Sequence, residues 1–196
     1  MRALALALLA LVAIPSAAQD VLPGQLPSDD GPQRLSGPRF GVTYLSPGVV
    51  DRINDTLTDP GEEDVIDLPL TTQVGWQFEF QTFQSQSGVL TGVAEIVPLI
   101  GGLERGRIFP TVTFLAGVRT RKGFEVGLGP NISLTGASGV NEFNETSGVA
   151  AGLALAVGQG LDVDGVSIPF NGALVLSESG VRASLLVGLT TSRGRY

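Results

Sequence analysis

The chain has 196 residues, 43% of them hydrophobic, and 12 basic against 19 acidic side chains give a net charge of −7. It contains no Cys and no His, which removes disulfides, thiol nucleophiles, the Ser-His-Asp triad and most zinc and haem ligation. The acidity also excludes a general nucleic-acid binder.

Met1-Arg2 is followed by an apolar run from Ala3 to Ile14, then Pro15 and the small residues Ser16-Ala17-Ala18. The run is too short for a spanning helix, and its flanks suit a cleaved secretory signal. The pattern predicts a signal peptide over 1–18 and a mature start at Gln19. Residues 19–37, rich in Pro, Gly, Ser, Gln and Asp, read as a flexible leader.

From residue 38 the dominant hydrophobic period is two, the period of a strand. Phe40, Val42 and Tyr44 share one face of the first run. The segment 47–70 that follows is long and acidic, with Asp51, Asp55, Asp59, Glu62-Glu63-Asp64 and Asp67. Within it Val49, Val50, Ile53 and Leu57 have helical spacing, which predicts a short helix packed over a barrel mouth. Val74, Trp76, Phe78 and Phe80 alternate with Gln73, Gly75, Gln77, Glu79 and Gln81. Residues 89–97 are apolar on both faces apart from Thr91 and Glu95. Val112, Phe114, Ala116 and Val118 alternate with a face that carries Arg119, and Phe124 to Leu134 with a face that carries Glu125 and Asn131. Runs over 147–157, 166–176 and 181–189 complete the set, the last with Arg182 on its polar face. The total is about eight strands of roughly nine to twelve residues, the length of tilted bilayer-crossing strands. Between Arg119 and Glu125, a three-residue turn at Arg121-Lys122-Gly123 keeps facing residues on one face and pairs the two charges across the hairpin.

Alternation alone serves a soluble barrel and a membrane barrel equally, because only the choice of inner face differs. A water-facing surface is commonly about a quarter to a third charged. Here the polar faces are mostly Gly, Ser, Thr, Ala, Gln and Asn. Their charges are Arg39, Glu79, Glu95, Arg119, Glu125 and Arg182, three of each sign. That composition suits the filling of a narrow lumen. The predicted fold is therefore an all-β, single antiparallel up-and-down barrel over 38–196. Its lumen network would hold Arg39, Gln77, Glu79, Glu95, Arg119, Glu125, Asn131 and Arg182. Val74, Trp76, Phe78, Phe80, Phe114, Phe124 and Phe170 would meet lipid. In the alternative, a soluble exported barrel, they would line a cavity for an apolar or lipid-like ligand.

With this pattern the chain resembles the small bacterial outer-membrane β-barrel superfamily, which includes the transmembrane domain of outer membrane protein A. The phrases Ser36-Gly37-Pro38-Arg39, Gly75-Trp76-Gln77-Phe78-Glu79, Val97 to Glu104 and Gly180-Val181-Arg182 are also similar to a group of uncharacterised bacterial exported proteins. That resemblance implies export and no activity. Members of the superfamily usually end in an aromatic residue, and Tyr196 is terminal, although it falls on the polar parity.

The chemistry offered is sparse. Glu79 and Glu95 fall on neighbouring predicted strands. If the link at 84–87 keeps register, Glu95 lies opposite Gln77, one pair from Glu79. Two such carboxylates serve either a proton or ion relay or a structural Arg-Glu-Gln network. Asp162-Val163-Asp164-Gly165 begins like a calcium loop but lacks its remaining ligands. The expectation is a non-enzymatic protein without cofactor or metal, with a structural or interaction role or a narrow conduit. Its expected partners are membrane lipid and an unidentified protein at the acidic segment 47–70, with no nucleic acid.

Overall fold

A computed structural model of the chain describes residues 35–57, 66–135, 148–163 and 166–191. The predicted signal peptide, most of the leader and Tyr196 lie outside the described residues, as does part of the acidic segment.

The described residues form a closed, all-antiparallel, up-and-down barrel of eight strands. These are β1 (Gly37–Leu45), β2 (Leu70–Gln84), β3 (Leu90–Gly101), β4 (Phe109–Thr120), β5 (Phe124–Thr135), β6 (Gly148–Val163), β7 (Val166–Ser177) and β8 (Gly180–Gly188). Each strand pairs with the next, and β1 pairs with β8 from Arg39↔Gly188 to Leu45↔Arg182, so the sheet has no open edge. A two-residue continuation at Thr190–Thr191 returns to the start of β7.

The connections sort by end. At one end the links are short: 85–89, 121–123 and 164–165. In the 121–123 turn Gly123 has φ 81°, the left-handed position expected there, and Arg119 stands opposite Glu125. At the other end lie the links 46–69, 102–108, 136–147 and 178–179. The first of these carries helix α1 (Pro47–Leu57). Pro47 opens it where no backbone donor is needed, and the Ser46 carbonyl accepts from Val49 N–H at 2.9 Å. Its apolar stripe is buried: Val49 and Ile53 pack with Leu45, Ile66 and Phe109 over the barrel mouth. Asn54 clamps the returning chain, donating to the Ile66 carbonyl at 3.1 Å and accepting its N–H at 2.9 Å.

One register departs from expectation. Glu95 stands directly opposite Glu79, not Gln77, because the link is longer than 84–87, the ladder closing at Gln84↔Thr91, and β2 then carries a bulge between Gln81 and Phe83. The extra residue shifts the pairing by one position over the ladder that follows; without it Glu95 would face Phe80.

Alternation sorts the side chains into two sets. Trp76, Phe78, Phe80, Phe114, Phe124 and Phe170 are exposed on the outer face, and Val74 is half-buried there. Register places Phe78, Ile96 and Phe114 side by side across three strands. No charged residue falls on the outward parity of any strand. The described side chains of every strand charge point inward. A barrel of eight strands has an interior about wide enough to be filled by side chains, and the lumen is where the chemistry of this chain is collected.

Candidate functional site: a three-layered lumen

The layer nearest the short turns is an ion-paired plug. Arg119, on β4, reaches over β3 and grips Glu79 on β2 with both ends of its guanidinium, Nη1 to Oε1 at 2.7 Å and Nη2 to Oε2 at 2.5 Å. The same guanidinium donates to Glu125 on β5, with Nε to Oε2 at 2.8 Å and a second, very short bond from Nη2. Glu95 lies 3.8 Å from Nη2 and accepts from Gln77 Nε2 at 2.6 Å. Gln77 in turn accepts from Arg39 Nε at 2.9 Å. Arg39 has no exposed surface, and its remaining nitrogens donate to the carbonyls of Leu35 at 2.6 Å and Pro38 at 3.1 Å. The chain before β1 is thus part of the plug. Leu35 N–H donates to Glu79 Oε2 at 3.0 Å, and Glu79 N–H donates to Ser36 Oγ at 2.9 Å. Bidentate and charge-assisted bonds of this kind are the strong ones. Buried ions also need every lone pair and proton satisfied, which this arrangement largely achieves.

The middle layer is apolar. Val97 and Leu99 of β3, Leu115 of β4 and Leu186 of β8 pack together inside the barrel. They occupy room left by inward-facing glycines. A Cβ on Gly41 would lie 2.7 Å from Leu186 Cδ2, and one on Gly75 would lie 2.9 Å from Leu99 Cδ2. Large and small residues therefore interdigitate across the lumen, as they do in small barrels generally. No polar side chain from this group bridges the plug to the layer above it.

The third layer, towards α1, is polar and mostly neutral. Thr43 Oγ1 donates to Gln73 Oε1 at 2.7 Å and lies 2.7 Å from Ser184 Oγ. Asn131 Nδ2 donates to Thr113 Oγ1 at 2.8 Å, and Asn131 Oδ1 accepts from Arg182 Nη2 at 2.6 Å. At the rim, Glu104 in the short 3-10 turn Leu103–Arg105 accepts from Thr71 Oγ1 at 2.8 Å and from the Thr72 backbone N–H at 3.2 Å. Burial pulls the Glu104 carboxyl upward, but hydrogen bonds led by that of the Thr72 hydroxyl to Oε2 outweigh it and hold the group below the ordinary carboxylate range.

All eight polar residues singled out from the sequence thus face the lumen, but in two separate groups. Arg39, Gln77, Glu79, Glu95, Arg119 and Glu125 make the plug, while Asn131 and Arg182 belong to the layer beneath α1. Sequence reasoning missed Thr113 as the partner of Asn131, and the neighbouring trio of Thr43, Gln73 and Ser184, although their inward parity carried the signal. It also missed the apolar layer between. Glu79, Glu95 and Glu125 bring carboxylate oxygens within 4.8 Å of one another, the spacing of a cation site. The Arg119 guanidinium already occupies that position. A relay through the carboxylates would have to pass four aliphatic side chains to continue.

Comparison of the chain with family models, with curated proteins and with solved structures returns no match in any of the three. The functional reading therefore rests on the geometry of the barrel itself.

Proposed function

We propose that the protein is a non-enzymatic outer-membrane β-barrel with a structural or interaction role, and that its lumen is sealed rather than conducting. The observation that carries this reading is the outer face. On all eight strands the outward residues are apolar or neutral, while the strand charges turn inward. A soluble barrel would reverse this, keeping its apolar set inside and its charges in water. Exposed apolar surface that runs round a whole molecule has no counterpart on ordinary soluble monomers. A charge on the lipid face of such a barrel costs about 2–4 kcal/mol at the bilayer midplane, so its absence there is what lipid contact demands.

The rest of the architecture agrees. Short turns gather at one end, and of the four links at the other all but the two-residue 178–179 are longer, as in barrels whose turns face the periplasm. A signal peptide over 1–18 supplies the export that such a location needs. The plug and the apolar layer favour a closed lumen, since a dry constriction opposes ions and water alike. The soluble alternative would need an apolar cavity inside the barrel. The interior instead holds Arg, Glu, Gln and Asn in mutual bonds.

Membrane fractions washed with alkaline carbonate test this reading, together with heat-dependent migration on a denaturing gel. Retention in the pellet and a shift on boiling are expected. Release into the supernatant as a folded protein would overturn the proposal.

A further inference from the structure

Beneath α1 the third layer encloses a cavity of about 40 Å3, large enough for a few water-sized groups but not for a nucleotide or a sugar. We propose that this chamber binds a small monovalent anion, a halide or an acetate-sized carboxylate, on the guanidinium of Arg182. The inference does not depend on what the outer face of the barrel meets.

Charge is the first argument. The lumen charges cancel only when both polar layers are taken together. The plug has three carboxylates against two guanidiniums, and the chamber has Arg182. Arg182 stands opposite Leu45 in the β1–β8 ladder, whereas Arg39 of the plug stands opposite Gly188, six residues further along β8. At about 3.3 Å per residue the two levels are about 20 Å apart along the strand. The apolar layer lies between them. The negative charge of the plug is already engaged by Arg119 and Arg39, so among the described residues it supplies Arg182 with no local counterion.

The lining is the second argument. Both charged residues that line the chamber, Arg182 and Arg52, are basic, in a chain whose net charge is −7. No described carboxylate lies within ion-pair distance of Arg182. Of the five N–H groups a guanidinium offers, one is taken by Asn131 Oδ1, and the others have no protein acceptor among the described residues. The hydroxyls of Thr111, Ser133 and Ser177 also line the chamber, those of Ser133 and Ser177 donating to the carbonyls of Ala150 at 3.5 Å and Gly180 at 3.0 Å. Val49 and Ile53 of α1 close the opposite side, so an anion there would be shielded from solvent. Such a group gains most where the charge-assisted N–H groups of a fixed cation replace its hydration. The chamber's size selects a small ion over a phosphorylated metabolite.

The test uses the full chain in detergent and bromide as the probe. Crystals soaked in sodium bromide should show an anomalous peak at hydrogen-bonding distance from the Arg182 guanidinium, and crystals of Arg182→Gln should lack it. In solution, replacing gluconate by bromide at constant ionic strength should raise the midpoint of thermal unfolding by about 2–5 °C in the unaltered chain. The rise should vanish in Arg182→Gln and persist in part in Arg182→Lys, which keeps the charge. Peaks confined to exposed arginines would mean an adventitious ion only and would overturn the proposal. So would an acidic side chain of segment 136–147 lying on Arg182, or an equal bromide effect in Arg182→Gln.

Discussion

The two polar layers of the lumen are built from the same alternating strands, yet they solve opposite problems. In the plug, carboxylates outnumber guanidiniums, and every ion is held by a partner from another strand or from the chain entering β1. In the chamber the bonds run between hydroxyls and amides, with one guanidinium resting on Asn131. The first arrangement ties five consecutive strands, β1 to β5, into a rigid seal. The second leaves space, and the helix above covers it. Between them four aliphatic side chains separate the two electrostatic environments. A lumen neutral in sum is therefore polarised along its axis.

The largest effect should come from breaking the plug. Arg119→Ala removes the guanidinium that touches Glu79, Glu95 and Glu125 together, and should destabilise the barrel by about 3–5 kcal/mol. Urea unfolding in lipid vesicles measures it, and an unchanged midpoint would show that the ion pairs contribute nothing. Next is the apolar layer, where Leu99→Ala should cost about 2–4 kcal/mol by leaving a void. It should also increase bilayer conductance, whereas a change confined to the third layer, such as Ser184→Ala, should not. Gly188→Ala ranks third, at about 1–3 kcal/mol. A Cβ there would press on the Arg39 guanidinium and the Pro38 carbonyl, so Arg39 must shift from its buried seat.

The smallest effect belongs to the rim. Glu104 is held below the ordinary glutamate value of 4.5 when folded. Folding therefore favours its ionised form. Its contribution is fully present above the unfolded value and is lost as pH falls through the lower, folded one. Glu104→Gln should flatten that acid limb slightly and leave stability at neutral pH nearly unchanged, since the group is partly exposed. A pH series of thermal midpoints for the two proteins reads the difference.

Much of this was legible in the residues before any coordinates. Period two separated Trp76, Phe78 and Phe80 from Gln77 and Glu79, and spacing alone marked α1 and the Arg119–Glu125 hairpin. These are local signals, carried within one strand, one helix or one tight turn. What escaped is set by register between strands. A longer link at Gln84↔Thr91 and the bulge at Gln81–Phe83 together set Glu95 opposite Glu79, and nothing in either segment alone announces it. Leu115 and Leu186 fall on the polar parity among small residues, where their meeting with Val97 and Leu99 depends on how far each strand is staggered round the barrel. For the same reason the six lumen charges read as one balanced set, when stagger divides them into a plug and an isolated cation.

The central claim is that the outer face meets lipid, and Trp76 offers the most direct measurement of it. It is the single tryptophan of the chain and sits exposed on the outward face of β2. With the protein refolded into vesicles whose acyl chains carry bromine, its fluorescence should be strongly quenched relative to unbrominated vesicles, with a depth dependence that places it within the bilayer. Emission unchanged by brominated lipid but quenched by iodide in the aqueous phase would contradict the account.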